Sequence, residues 1–239
     1  FLIKKLNKFI KVFGNSSYRK AALNGAAAGI EHEAVLKTLH CNTVIDIGAN
    51  KGQFALAARK CYPNAKIYSF EPLSHPAEIF NKVFVDDSNI KLFPFAISDE
   101  TGEAEIHISH REDSSSLLPI GEKQNEMFPG TYEVGVEKIT MKKLSDALTL
   151  DELISPVLMK IDVQGFELSV LKGSIELFSR IKYVYSECSY IELYKGQALF
   201  PEISEFLAKY GFKRTGEFNT SYDETGKPVQ SDFLFENLS

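Results

Sequence analysis

Val44-Ile45-Asp46-Ile47-Gly48-Ala49-Asn50-Lys51-Gly52-Gln53-Phe54, followed by Ser69-Phe70-Glu71-Pro72, decides the fold of this chain. A β-branched run ends in a glycine turn, and a helical pattern opens at once with Phe54, Leu56, Ala57 and Ala58. A second apolar run, Ile67 to Phe70, ends on a carboxylate. This is a strand, turn, helix, strand unit with an acid placed to hold a ribose. The glycine spacing then selects the nucleoside. A dinucleotide turn reads G-x-G-x-x-G, but counting from Gly48 the next two glycine positions hold Asn50 and Gln53. Without the close approach that a pyrophosphate needs, a smaller adenosine ligand such as S-adenosylmethionine (SAM) suits the turn better.

Composition sets the outer limits. The 239 residues are 44% apolar and 25% charged, which suits a soluble α/β domain with a sizeable core. Residues 1–40 read as a helical N-terminal extension and residues 41–239 as the main domain. A net charge of -5 argues against a nucleic-acid backbone as partner. Cys41, Cys61 and Cys188 form no C-x-x-C pair, so neither a disulfide framework nor a zinc knuckle is expected, and a reducing cytoplasm fits. No apolar run approaches the roughly 20 residues that cross a bilayer. Within residues 1–13, Leu2, Ile3, Leu6, Phe9, Ile10 and Phe13 recur at helical spacing, opposite Lys4, Lys5, Lys8 and Lys11. Such a helix docks on its own domain or on a second subunit, or lies on the anionic inner face of a membrane.

Residues 18–40 read as helical, split by Gly25 and Gly29. Strands are expected near 43–47, 66–70 and 90–97, with helices over 52–61 and 75–85 between them. Glu103 to Ser109 alternates as an exposed strand, and Val136 to Thr140 is another, followed by a short helix from Leu144 to Leu150. Residues 110–135 show no period and read as a long functional or mobile loop. Pro156 to Asp162 reads as a buried strand, Phe166 to Phe178 as a helix and Ile181 to Ser186 as a strand ending on Glu187. A helix from Phe200 to Lys209 and two strands near 212–218 and 232–236 close the chain. Repeated alternation implies a parallel sheet covered on both faces, with ligands beyond the carboxyl ends of its strands. Asp46, Glu71, Asp162 and Glu187 all fall near such ends.

Asp46-Ile47-Gly48-Ala49-Asn50-Lys51-Gly52, Phe70-Glu71-Pro72, Lys160-Ile161-Asp162-Val163-Gln164-Gly165-Phe166-Glu167 with Leu171-Lys172-Gly173, and Leu193-Tyr194-Lys195-Gly196-Gln197 occur in that order. Together they resemble the FkbM-type SAM-dependent methyltransferases, over about residues 41–236. The resemblance implies a Rossmann-like class I fold: a seven-stranded, mostly parallel sheet whose last strand is antiparallel. It also implies O-methylation of hydroxyls on sugars or polyketides, with S-adenosylhomocysteine (SAH) as product. Phe166 departs from the small residue common at its position.

The residues themselves carry compatible chemistry. Gly48, with Ala49, lets the methionine end of SAM approach backbone. Asn50 and the amides of Gly52 and Gln53 can meet its carboxylate at a helix N-terminus. Asp46 is placed for the amino end. Glu71, ahead of Pro72, can accept both ribose hydroxyls. Ala96, Ile97 and Ser98 are placed to border the adenine. Methyl transfer to an alcohol needs an oriented oxygen and a base. Asp162 is the first candidate base, Glu187 the second, and His107 and His110 the third, while a helix N-cap is the bland alternative for Asp162. His32, His40 and His75 read as surface or packing residues. Ser114, Ser115 and Ser116 either help a loop close over SAM or are solvated. Asp162 and Glu187 offer hard oxygens but no third ligand is evident, so metal-independent chemistry is expected. Competing readings are an NAD-linked oxidoreductase and a catalytically silent SAM-binding scaffold.

Overall fold

The computed structural model describes residues 14–238, so the amphipathic segment 1–13 lies outside the described residues. Ten strands run in chain order as β1 (Thr43–Ile47), β2 (Lys66–Phe70), β3 (Ile90–Phe93), β4 (Ala96–Ile97), β5 (Gly102–Ser109), β6 (Glu133–Lys142), β7 (Val157–Ile161), β8 (Ile181–Ser189), β9 (Phe212–Tyr222) and β10 (Pro228–Asn237). Seven of them form one sheet in the order β3-β2-β1-β7-β8-β10-β9. The pairs β1–β2, β2–β3, β1–β7 and β7–β8 are parallel, and β10 is antiparallel to both neighbours. The expected seven-stranded architecture with an antiparallel last strand is therefore present.

Helices α1 (Ser16–Leu23), α2 (Glu33–Leu36), α3 (Gln53–Cys61), α4 (Ser74–Val83), α5 (Glu122–Met127), α6 (Glu167–Lys172) and α7 (Phe200–Lys209) complete the chain with several 3-10 turns. Both central strands, β1 and β7, are buried along their whole length, as strands covered on both faces must be. One core layer joins Ile45, Met159, Ile161 and Phe233 to Val170, Leu171, Ile203 and Leu207. Their chain neighbours Val44, Leu158 and Leu234 point the other way, onto Phe54, Ala55, Ala57 and Ala58 of α3. Residues before 41 pack on those after: Tyr18 and Ala21 join Leu56 and Val83, and Lys60 Nζ donates to Glu33 Oε1 at 2.8 Å.

Four expectations need correction. The strand expected over 90–97 is broken at Pro94, which has no N–H for a ladder. Its second half, β4, leaves the main sheet and pairs with β6 in a three-stranded sheet, β4-β6-β5. The helix expected from Phe166 to Phe178 stops at Lys172 and resumes as a 3-10 turn over Ile175–Leu177. At the break, a Cβ on Gly173 would lie 2.0 Å from the Ser98 carbonyl oxygen, so the chain turns where only glycine fits. Glu187 sits inside β8 rather than beyond its end. The 110–135 segment is also structured: it holds a 3-10 turn at Glu112–Ser114, helix α5 and the start of β6.

Candidate active site

The carboxyl ends of β1, β2 and β7 open into a cavity of about 340 Å³. Its first wall is the glycine turn. The Gly48 and Ala49 amides both donate to the Phe70 carbonyl, at 3.1 and 3.0 Å. Gly48 adopts a φ of 78°, and a Cβ there would come 1.8 Å from the Asp162 carbonyl oxygen. The turn thus seats β1 against the start of the β7–α6 connection. Asn50 also has a positive φ, 46°, and its amide donates to Glu71 Oε2 at 2.8 Å. The Leu73 amide donates to Glu71 Oε1 at 2.8 Å. Two backbone donors fix the carboxylate and leave each oxygen one lone pair, which is what a ribose diol requires. Burial pushes the Glu71 carboxyl up to about 7, against the pull of those two amides.

Most residues expected at the nucleoside end lie around this cavity. Gly48, Ala49, Asn50, Gln53, Glu71, Pro72, Ala96 and Ile97 all line the cavity. Phe70, Leu73 and Phe166 add an apolar lining beside Ala96 and Ile97, so the atypical Phe166 faces the ligand space. Two residues do not take part. Gly52 spends its amide on the Ala49 carbonyl at 2.8 Å and faces Phe80 and Phe84. Ser98 is buried beneath the lining, with its amide on the Lys142 carbonyl at 3.0 Å.

Strand order explains the charged floor. Asp46 on β1 is the register partner of Lys160 on β7, and Lys160 is in turn the partner of Tyr185 on β8. Parallel partners share a face, so the three side chains form one row. Lys160 Nζ lies 3.3 Å from Asp46 Oδ1 and 3.6 Å from Asp162 Oδ2, and donates to the Gly48 carbonyl at 3.0 Å. Burial would lower the Lys160 ammonium, but the Asp46 and Asp162 carboxylates outweigh it and hold the group above the ordinary lysine value. Asp46 is wholly buried, and neither of its oxygens receives a well-directed hydrogen bond. The acid expected to meet the cofactor's amino end, directly or through water, faces the internal Lys160 ammonium and is absent from the cavity lining.

At the other side, Gln164 joins two carboxylates. Its Nε2 donates to Asp162 Oδ1 at 2.7 Å and to Glu187 Oε2 at 2.9 Å, while Tyr194 Oη donates to its Oε1 at 2.7 Å. Asp162 and Glu187 both line the cavity. Burial, then the neighbouring Asp162 carboxylate, pushes Glu187 well above the ordinary carboxylate range. Asp162 is not the N-cap of α6. The N-cap position is Phe166, which makes no side-chain cap, and Glu167 Oε1 instead accepts the Val163 and Gly165 amides of the preceding loop at 3.3 and 3.0 Å.

The histidines change places relative to expectation. His110 stacks on Tyr132 at 5.1 Å and His107 pairs with Glu133 at 2.9 Å, both away from the cavity lining. His75 bonds Glu112 at the surface at 2.6 Å. His32, read as a surface or packing residue, lines the cavity. Its neighbour relations are tertiary, to Tyr185 and Asp232 far along the chain, and no local pattern signals them. Lys160 and Gln164 were visible within a motif, but their chemistry appears only when β7 lies beside β1 and β8.

The serines at 114–116 are not solvated. Ser114 and Ser116 are buried, Ser116 Oγ donates to the Gln164 carbonyl at 2.6 Å, and Ser115 Oγ accepts the Ser109 amide at 3.1 Å. Glu112 is tied to Lys51 at 2.9 Å, so the segment is fastened across the glycine turn. These contacts hold the segment against the cavity as an ordered wall. Among the described residues no group of three or more His, Cys, Asp or Glu is arranged to hold a metal ion.

Comparison with known proteins agrees with this geometry. The FkbM methyltransferase domain matches residues 46–214. A protein named 2-O-methyltransferase NoeI from Sinorhizobium fredii is 27% identical over 173 residues, covering 70% of this chain and 71% of that protein. Methyltransferase sdnD from Sordaria araneosa is 28% identical over 199 residues, covering 72% and 74%. With the FkbM methyltransferase domain matched over most of its length, the chain belongs to the FkbM methyltransferase family and is a SAM-dependent methyltransferase.

Proposed function

We propose that this enzyme transfers the methyl group of SAM to a hydroxyl oxygen of a sugar or a comparable hydroxylated metabolite, inside the cytoplasm. One observation carries the reading: a single cavity has the diol-accepting carboxylate Glu71 in one wall and the Gln164-bridged acids Asp162 and Glu187 in another. SAM, when bound, supplies a methyl group already activated as a sulfonium. The chain's residues have three tasks. Glu71 and the Gly48 turn place the nucleoside. Phe70, Leu73, Ala96, Ile97 and Phe166 exclude water around its base.

The third task is proton transfer. Two carboxyls joined through one amide do not ionise equally. Glu187, buried and pushed well above the ordinary carboxylate range, keeps its proton, while Asp162 Oδ2 lies 3.6 Å from the Lys160 ammonium. Asp162 is thus the proposed acceptor of the hydroxyl proton, and Glu187 a donor that orients the substrate oxygen. The similarity to a relative named as a 2-O-methyltransferase supports an oxygen acceptor.

The test is a panel of hydroxylated sugars and lipid-linked glycans with methyl-labelled SAM. Label should enter at least one acceptor, and Asp162→Asn should abolish that transfer while SAH binding persists. Binding of NADH with no binding of SAH would sink the reading. SAH binding with no transfer to any hydroxylated compound would favour the silent scaffold.

A further inference from the structure

His32 has no part in the ribose end or in the Asp162–Glu187 pair, yet its ring forms part of the cavity wall. The ring is tightly set. It meets Phe54 and Tyr185 edge-on at 5.3 and 5.7 Å, and its Nδ1 lies 3.1 Å from Tyr185 Oη. Tyr185 Oη donates to Asp232 Oδ2 at 2.8 Å, and the same carboxylate oxygen accepts Asn219 Nδ2 at 2.7 Å. A phenol has one hydrogen, and here it is given to Asp232. Toward His32 the phenol oxygen is therefore an acceptor, so Nδ1 carries a hydrogen, and in the neutral ring the lone pair is on Nε2. No hydrogen bond to Nε2 forms among the described residues.

The position of this lone pair matters. The Gly29 amide donates to the Gln53 carbonyl at 2.8 Å, which pins the His32 turn against the first residue of α3. That is the end of the cavity lined by Gly48, Ala49, Asn50 and Gln53, where the methionine end of SAM is to lie. Asp46, the acceptor expected for its ammonium group, and the neighbouring Gly48 carbonyl both already face an ammonium there. Lys160 Nζ holds both the Gly48 carbonyl and Asp46. A second ammonium needs a different acceptor, away from the first.

We propose that His32 Nε2, fixed as an acceptor through Tyr185 and Asp232, receives the α-ammonium of SAM. This rests on the SAM reading and adds to it a binding residue from outside the matched domain. The relay makes chemical sense. A neutral imidazole with Nδ1 tied to a phenol–carboxylate pair is a good acceptor at Nε2, and ammonium binding favours that tautomer in turn.

Calorimetry with two ligands tests it: SAH, and 5′-S-(3-carboxypropyl)-5′-thioadenosine, which lacks only the amino group. Native protein should prefer SAH. His32→Phe, which keeps a packed ring, should weaken SAH by roughly 10- to 100-fold, the range of a hydrogen bond to a charged group. It should leave the desamino ligand within about threefold, so the preference collapses. Tyr185→Phe should reduce the preference in the same direction, and His32→Gln, which offers an amide oxygen, should restore part of it. An unchanged preference, or equal loss for both ligands, overturns the proposal. If His32→Phe does not fold, the preference in Tyr185→Phe decides. Native protein that binds neither ligand would overturn the SAM reading itself, an outcome distinct from a retained preference.

Discussion

Glu71 shows how one side chain can be both buried and ready. Two amides hold its oxygens and burial raises its carboxyl to about 7. Accepting two ribose hydroxyls needs the ionised form, so the sign is plain: affinity for SAH should fall as pH drops below about 7, by up to tenfold per unit. Calorimetry between pH 5.5 and 8 measures this, and a flat profile would contradict it. Glu71→Ala should abolish SAH binding at every pH. Lys160 makes a different prediction. Lys160→Met removes the ammonium that Asp46 faces and leaves a wholly buried carboxylate unpaired. The expected cost is about 3–5 kcal/mol, read by denaturant unfolding. Adding Asp46→Asn to that variant should recover a good part of it.

At the scale of elements, the glycine turn is a packing joint as much as a ligand cradle. Gly48→Ala places a Cβ 1.8 Å from a carbonyl oxygen at the head of the β7–α6 connection. Backbone cannot yield there as a side chain tip can. Overpacking with the positive φ should cost on the order of 3 kcal/mol and weaken SAH binding, because the Asn50–Glu71 bond depends on the same turn. Gly173→Ala, against Ser98 backbone, should cost stability in a similar way while sparing SAH affinity, since neither residue lines the cavity. Comparing the two variants by melting and by calorimetry separates fold from site.

The elements also show what was legible along the chain. β1, α3 and β2 lie where the pattern put them, because a β-branched run, a glycine turn and an apolar helical face are local signals. Local reading passed over the proline at Pro94 and failed at Gly173, where the Ser98 backbone dictates the break. It failed again over 110–135, whose order comes from Lys51, Gln164 and Tyr194 rather than from any period of its own.

For the molecule as a whole, the crowded acids imply an unusual pH response. Burial raises Glu71 and Glu167 to about 7 and holds Glu187 well above the ordinary carboxylate range. A folded state that keeps protons the unfolded chain has lost is stabilised at low pH. The ligand-free protein should therefore lose stability as pH rises from about 4.5 through 7, and melting across that window checks the direction. SAH should offset this. A saturating ligand at a hundred times its Kd adds about 2.7 kcal/mol, a clear rise in melting temperature.

What the sequence determined by itself was the parallel sheet, the glycine turn with Glu71 beside it, and the family, because each is written in residues close along the chain. What only the tertiary structure decided was the partnership of charges. Strand order put Lys160 beside Asp46, taking the carboxylate expected to face the cofactor. It also put Tyr185 and Asp232 under His32, making a wall residue of a histidine with no local motif. Periodicity records which face a side chain takes. Which opposite charge waits on that face depends on strands more than a hundred residues apart, and on the hydrogen that each donor has left to give.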